Sequence, residues 1–307
     1  QILITTVQRK VNNDVESSDI PDDVSVNDSE STSGNGSKSS ETHEDGSVNN
    51  SASVSNNESV NFFEATGTVE SMKLRAEQAH FDKNQRKAFL LMLSHFVLSY
   101  IEEVEEHSQD STLTDTTFYS TIRREKQKLF ECGGKKQKLR LFLDGAGGSG
   151  KSEVLKEVLR YACDFCLLLH VPFTKYTILM TASTGVAAAL INGNTVHSAC
   201  GMYRKTTNED IEVFKDVRLL VLDEISMIDI KFLKKLDGKL RDLRDFSDYY
   251  GGLNVIFVGD FRQLDPVNAT PIYKDLLLPE WMHAVNTYIE LQGMYRFADD
   301  LVWGNVF

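Results

Sequence analysis

Cysteine is scarce in this chain, and long apolar runs are absent from it. The 307 residues include four cysteines, Cys132, Cys163, Cys166 and Cys200. One C-x-x-C pair without a second pair favours packed thiols over a metal or redox site. Few cysteines and the lack of a signal peptide indicate a reducing compartment inside the cell, nuclear or mitochondrial if the chain is eukaryotic. No apolar run is long enough to span a bilayer.

Positive charge is also in deficit, since 33 Lys and Arg residues stand against 45 Asp and Glu residues. At first sight this argues against nucleic-acid binding. However, residues 1–70 hold 13 acidic and 3 basic residues, whereas the remainder holds 32 and 30, so net charge does not exclude such a partner. We interpret residues 1–70 as an acidic, largely disordered tail, because the Ser-, Asn- and Asp-rich stretch 12–60 buries too little apolar surface to offset chain entropy.

A strand, a glycine-rich loop and a helix follow one another around residue 145. The apolar run 139–143 predicts a buried strand, and the apolar spacing over 154–158 predicts a helix. The G-x-x-x-x-G-K-S segment between them is typical of a P-loop, whose backbone N–H groups surround phosphate oxygens. Lys151 is suited to reach the β- and γ-phosphates, and the Ser152 hydroxyl is suited to hold Mg²⁺. The candidate nucleotide-binding residues are Gly145, Ala146, Gly147, Gly148, Ser149, Gly150, Lys151 and Ser152.

Four further apolar segments alternate with helical patterns along the chain. They cover residues 176–181, 218–224, 253–260 and 288–291. This alternation predicts an α/β fold with a mostly parallel sheet and right-handed crossovers. The loops at the carboxyl ends of the strands are expected to form the site.

Acidic and amide side chains occupy those predicted strand ends. Asp223 is placed to hold the Mg²⁺ shell, and Glu224 to orient or deprotonate an attacking water. This pair favours nucleotide hydrolysis over phosphoryl transfer to a small molecule. Gln263 follows the fourth strand as a candidate γ-phosphate sensor, while Asp260 and Arg262 suit a turn as well as a site.

Gln85 has two interpretations. Asp82 and Gln85 fit a capping box at the start of a strong helix, which explains Gln85 completely. Alternatively, its amide contacts an adenine edge. Residues 71–138 are interpreted as this N-terminal helix plus a charged insertion.

Thr195 and His197 follow a turn, where a lone histidine is more often structural than a phosphate or base contact.

Five segments together resemble the Pif family of superfamily 1 DNA helicases, which move 5′ to 3′ and share motifs with Helitron-type transposases. They are residues 145–152, 181–188 with 195–198, 223–227, 259–267 and 294–297. The resemblance spans about residues 78–300. It implies a RecA-like P-loop NTPase domain over 139–307 that uses ATP and Mg²⁺ and moves on single-stranded DNA. Roles in DNA repair, recombination and telomere maintenance follow from the same resemblance.

The resemblance also assigns roles to single residues. Lys151 and Ser152 match the phosphate lysine and the Mg²⁺ hydroxyl. Asp223 matches the metal-binding acid, Glu224 the catalytic base, and Gln263 the γ-phosphate sensor.

Further matches concern the base, the transition state and DNA. Gln85 matches an adenine-reading glutamine, and Arg296 matches an arginine that stabilises transition-state charge. The segments that line the single-strand channel in the family contain Thr184, Gly185, Thr195 and His197.

Departures from the family pattern leave other interpretations open. Asp265 stands where the family usually has an apolar residue. The chain also begins at Gln1 and not at Met, and it stops at Phe307, soon after the last matching segment. We expect a fragment without the second RecA-like domain, which binds ATP–Mg²⁺ weakly and hydrolyses it slowly. The alternatives are a degenerate nucleotide- or DNA-binding module, a P-loop kinase, and the helicase part of a Helitron-type transposase.

Overall fold

The structure is a computed structural model that describes residues 67–108, 116–244, 247–263, 265–266, 269–274, 279–293 and 295. Residues 1–66 of the predicted tail over 1–70, and Arg296, lie outside these residues. The α-helices are α1 (Thr68–Gln78), α2 (Lys83–Ser108), α3 (Thr116–Glu131), α4 (Lys151–Leu169), α5 (Gly185–Leu190), α6 (Val196–Ala199), α7 (Asn208–Lys215), α8 (Ile230–Arg244) and α9 (Pro279–Ala284). Short 3₁₀ turns cover Ile225–Met227, Tyr249–Gly252 and Ile272–Lys274.

Six strands form one parallel sheet in the order β3-β2-β4-β5-β1-β6. The strands are β1 (Arg140–Gly145), β2 (Ile178–Ala182), β3 (Asn194–Thr195), β4 (Leu219–Asp223), β5 (Asn254–Gly259) and β6 (Thr287–Leu291). The predicted parallel α/β fold is therefore confirmed. The sequence did not indicate β3, because its two residues are too few to show a strand period.

Two apolar layers cover the faces of the sheet. Leu141 and Leu143 of β1 point into the layer that contains α1 to α4. Phe142, between them, points into the layer that contains α6 to α9. This alternation follows from the two-residue period of a strand. Both faces are buried, which explains why the strands are almost uniformly apolar.

The helices before β1 contribute to the first of these layers. In α3, Ile122 and Leu129 are buried while Arg123 and Arg124 are exposed, so only one face of this charged helix is solvated. Salt bridges join α2 to its surroundings, for example Lys126 Nζ to Glu105 Oε2 at 2.6 Å. The boundary between the N-terminal helix with its charged insertion (71–138) and the RecA-like domain (139–307) stays a prediction. None of the helices in the described ranges is long and apolar enough to cross a membrane.

Two of the four cysteines are packed in the core, as the sequence predicts. All four are free; Cys166 and Cys200 are buried, and Cys163 is exposed on α4. The Cys166 sulfur lies 3.2 Å from the Tyr100 hydroxyl. Burial raises the pKa of Cys166 to about 11. This thiol is therefore protonated and belongs to the core.

The strand register brings the candidate residues to one edge of the sheet. Asp144 pairs with Gly259, and Ala182 pairs with Asp223. The loops that follow β1, β2, β4 and β5 therefore leave the sheet at the same level. We call this the carboxyl edge, and the opposite side, where the strands begin, the amino edge.

Candidate functional site

The loop after β1 has the backbone of a phosphate cradle. Gly148 and Gly150 both have φ of +89°, a region that side chains rarely adopt. A Cβ on Gly150 would lie 2.2 Å from Gln85 Nε2. Gly150 is also the N-cap of α4 and makes no side-chain cap. The amides of Lys151 and Ser152 in the first turn therefore remain for a phosphate.

Lys151 lies inside this loop and contacts its backbone. Its ammonium donates to the carbonyls of Gly145 and Ala146, the second at 3.2 Å. Burial lowers the pKa of Lys151, and the carboxylates of Asp260 and Asp223 oppose that shift. An anionic phosphate would offer this half-buried cation a stronger partner than two carbonyls.

Ser149 supports the same fit. Its hydroxyl is buried and has no hydrogen-bond partner within the described residues. A buried donor without a partner is costly, by about 1–3 kcal/mol. A phosphate oxygen in the loop would satisfy it, so the residues present fit a nucleotide.

The acidic pair lies at the end of β4. Asp223 is the last strand residue, and its Oδ1 accepts from the Glu224 amide at 2.8 Å. Glu224 leaves the predicted strand and adopts a left-handed conformation, with φ 55° and ψ 46°. Burial raises the pKa of both side chains, and the neighbouring Asp223 raises that of Glu224 further. A carboxylate with a raised pKa is a better general base for water.

The site offers few direct ligands to a cation. Across the ranges that the structure describes, no three His, Cys, Asp or Glu side chains converge as a metal centre. Mg²⁺ commonly takes one or two protein oxygens and completes its shell with phosphates and water. The Ser152 hydroxyl and the Asp223 carboxylate suit that arrangement. The donor set therefore fits Mg²⁺ that arrives with a nucleotide.

Asp260 organises the turn after β5. Its Oδ1 accepts from the Arg262 backbone at 3.0 Å and from Arg262 Nε at 2.8 Å. Its Oδ2 accepts from Gln263 Nε2 at 3.4 Å. Burial alone would raise the pKa of Asp260, but the bonds from Arg262 outweigh it and lower the pKa. Asp260 is thus both a turn residue and the group that holds the exposed Gln263 side chain.

Gln85 combines the predicted cap with a contact to the P-loop. Asp82 Oδ1 accepts from the Gln85 amide at 2.9 Å, and Gln85 Oε1 accepts from the Asp82 amide at 3.1 Å, so the capping box is confirmed. The other amide atom, Nε2, donates to the Ser149 carbonyl at 3.3 Å. The start of α2 therefore lies directly against the nucleotide loop, and the adenine contact stays a prediction.

Tyr295 is a site residue that the sequence did not single out. Its backbone N–H donates to the Gly148 carbonyl at 2.9 Å, and its hydroxyl donates to Asp82 Oδ2 at 2.8 Å. It therefore bridges the P-loop and the α2 cap. The available signal was its position immediately before Arg296, the candidate transition-state arginine, which lies outside the described residues.

The candidate DNA-binding residues lie further along the carboxyl edge, after β2 and β3. Thr184 Oγ1 caps α5 by accepting from the Ala187 amide at 3.2 Å. Thr195 Oγ1 caps α6 in the same way, and Gly185 opens α5 with no atom near its missing Cβ. These caps explain both threonines structurally. The role of the four residues in DNA binding, His197 included, stays a prediction.

Two curated proteins are similar to this chain over about half of its length. The chain is 33% identical over 176 residues to the ATP-dependent DNA helicase PIF1 of Saccharomyces cerevisiae (strain YJM789), covering 52% of this chain and 20% of the relative. It is 32% identical over 181 residues to the ATP-dependent DNA helicase RRM3 of S. cerevisiae (strain ATCC 204508 / S288c), covering 54% and 24%. The chain thus spans about a fifth to a quarter of the length of these curated relatives.

Solved structures and a family model give two further results. The crystal structure of the Pif1 helicase from Candida albicans is 29% identical, with a TM-score of 0.42, and the match covers 53% of this chain and 38% of that one. The family model for PIF1-like helicases matches residues 123–300, which is more than half of the chain. On that match, together with the P-loop and the acidic pair, the chain belongs to the PIF1-like helicase family.

Proposed function

We propose that this chain is the RecA-like motor domain of an ATP-dependent DNA helicase. It couples ATP hydrolysis to 5′-to-3′ movement on single-stranded DNA. One observation carries the proposal: Asp223 ends β4 and Glu224 follows it at the same sheet edge as Lys151, and these charges act on one another. A loop that only bound nucleotide would not need a partly buried base of raised pKa beside its phosphate cation.

Each candidate residue of the nucleotide site then has a defined role. Lys151 exchanges its carbonyl partners for the β- and γ-phosphates. Ser152 and Asp223 would hold Mg²⁺, which supplies charge neutralisation on the phosphates when bound. Glu224 orients the attacking water and accepts its proton. Gln263, held by Asp260, senses whether the γ-phosphate is present.

Movement on DNA needs a second body against which this domain opens and closes. We propose a second RecA-like domain in the whole protein, since the yeast relatives, both named ATP-dependent DNA helicases, are much longer than this chain. Arg296 would complete the transition-state charge, and Gln85 would contact adenine. Thr184, Gly185, Thr195 and His197 would contact the single strand. Repair, recombination and telomere maintenance are the cellular roles that we propose for such a motor.

The test is ATP hydrolysis with and without single-stranded DNA. The chain should bind a fluorescent ATP analogue in a Mg²⁺-dependent manner and hydrolyse ATP slowly. Lys151→Ala should abolish binding, whereas Glu153→Ala, an exposed neighbour on α4, should change nothing. In the protein with its second domain, duplexes with a 5′ single-stranded tail should be unwound and those with a 3′ tail should not. ATP hydrolysis that Lys151→Ala leaves intact would refute the proposal.

A further inference from the structure

Three aromatic rings pack in a row at the outer end of the carboxyl edge, beyond β3. The Tyr203 ring stacks on the His197 imidazole, with centroids 5.4 Å apart and an interplanar angle of 15°. His197 also packs against Phe232 of α8, with centroids 4.8 Å apart. Tyr203 itself is 86% exposed. One face of its ring is therefore covered by His197, and the other face is open to solvent.

The loop that carries Tyr203 is held firmly. Arg204 forms an ion pair with Asp210. Asp210 also completes a capping box with Thr207 at the start of α7. From α8, Lys239 Nζ donates to the Arg204 carbonyl at 3.0 Å and to Thr206 Oγ1 at 2.8 Å. The open ring face is therefore preorganised, and little conformational entropy would be lost on contact with a ligand.

Basic residues are common in the two segments that form this stack. The helix α8 carries six Lys and Arg residues and two Asp residues. Lys235 lies three residues after Phe232, on the same face of α8, and is exposed. Lys205 lies two residues after Tyr203 and is exposed as well. An aromatic face flanked by cations is complementary to a base and its neighbouring phosphates.

We propose that Tyr203 is a stacking platform for one unpaired base of single-stranded DNA, with Lys205 and Lys235 at the adjacent phosphates. This inference rests on the proposed function and adds a contact point to it. Four strand spacings separate β3 from β1 in the sheet, which places the platform about 19 Å from the P-loop along the same edge. Stacking on a ring accepts any base, as a motor that moves along DNA requires.

Two oligonucleotides of equal length separate stacking from charge, one with bases and one with an abasic backbone. Tyr203→Ala should weaken binding of the oligonucleotide with bases about tenfold and leave the abasic one unchanged. Tyr203→Phe keeps the ring and should bind like the unaltered chain. Lys235→Gln should weaken both oligonucleotides equally, because it removes a phosphate contact.

The matched control is a second Tyr–His stack at the amino edge. Tyr249 stacks on His283 with centroids 4.5 Å apart. Tyr249→Ala should leave the affinity for both oligonucleotides unchanged. If Tyr203→Ala affects neither oligonucleotide, or both equally, the platform is refuted while the motor function stands. If the unaltered chain binds neither oligonucleotide, both proposals fail, whatever the variants do.

Discussion

The amino and carboxyl edges of the sheet differ in how their amide and hydroxyl side chains are paired. At the amino edge, Asn254 accepts from the Leu139 amide at 2.9 Å and donates to the Arg218 carbonyl at 3.2 Å. Asn286 connects the starts of β1 and β6 in the same way. The polar side chains there complete the backbone hydrogen bonding of the strands, so they contribute stability.

At the carboxyl edge, several polar groups lack such partners. The hydroxyls of Ser149, Ser183 and Ser226 are buried without a hydrogen-bond partner within the described residues. Glu224 is held in a left-handed conformation, and its pKa is raised. These features each cost on the order of 1 kcal/mol or more. Such costs are retained where a ligand supplies the missing partners, which marks this edge as the site.

The largest effect should come from Glu224→Gln at the carboxyl edge. The substitution keeps shape but removes the base, so the rate of ATP hydrolysis should fall about a thousandfold. Affinity for an ATP analogue should change little, because the phosphate cradle is intact. Single-turnover hydrolysis and analogue titration measure the two quantities. A rate within threefold of the unaltered chain would show that Glu224 is not the base.

At the amino edge, Asn254→Ala should cost about 3 kcal/mol of unfolding free energy. Asn254 is 3% exposed, so the Leu139 amide and the Arg218 carbonyl would both be left buried without a partner. Asn286→Ala removes the same pattern of bonds at an exposed position, where water replaces them, and should cost about 1 kcal/mol. Urea unfolding measures both. Equal losses from the two variants would show that burial does not set the cost.

Much of this contrast follows from local sequence signals. The strand, glycine-rich loop and helix around residue 145, the apolar strands and the Asp82–Gln85 capping box are each encoded within a few neighbouring residues, and the structure confirms them. The identities of Asp223 and Glu224 at a strand end were equally visible. Their geometry was not, because the left-handed turn at Glu224 depends on how the chain leaves the sheet.

Contacts between distant segments were beyond sequence reasoning. Tyr295 reaches Asp82 across 213 positions, and His197, on which the Tyr203 ring stacks, packs against Phe232 of α8. No periodicity or motif reports such pairs. The helix α1 was also missed, since only its packing against the core distinguishes it from the polar residues that precede it.

The free energy of unfolding should depend on pH through His95, a buried residue of the scaffold. Burial first, and then Lys138 and Lys135, lower the pKa of His95 on α2 to about 4. Between this value and the ordinary value of 6.5, the unfolded chain binds more protons than the folded one. Stability should therefore fall by about 2 kcal/mol from pH 7 to pH 5 on account of this residue alone.

The control for this effect is a comparison of variants. His95→Leu should flatten the urea midpoint between pH 5 and 7 relative to the unaltered chain. His80→Asn, at an exposed position, should leave the slope as it was. If His95→Leu keeps the full slope, the buried imidazole is not responsible.

The smallest effect should be the gain in unfolding free energy when Asn replaces Glu224, whose backbone is left-handed. Glu224→Asn places a residue that tolerates the left-handed region where glutamate is strained, so the unfolding free energy should rise by about 0.5–1 kcal/mol while hydrolysis is lost. His170, with φ of 56° at the end of α4, is the matched scaffold position. His170→Asn should give a similar gain with hydrolysis intact. Because both positions share the backbone conformation, a gain at His170 and a loss at Glu224 would mean that the left-handed turn is not strained at the site. Equal gains with activity lost only at Glu224 would mean that the strain there is retained for catalysis.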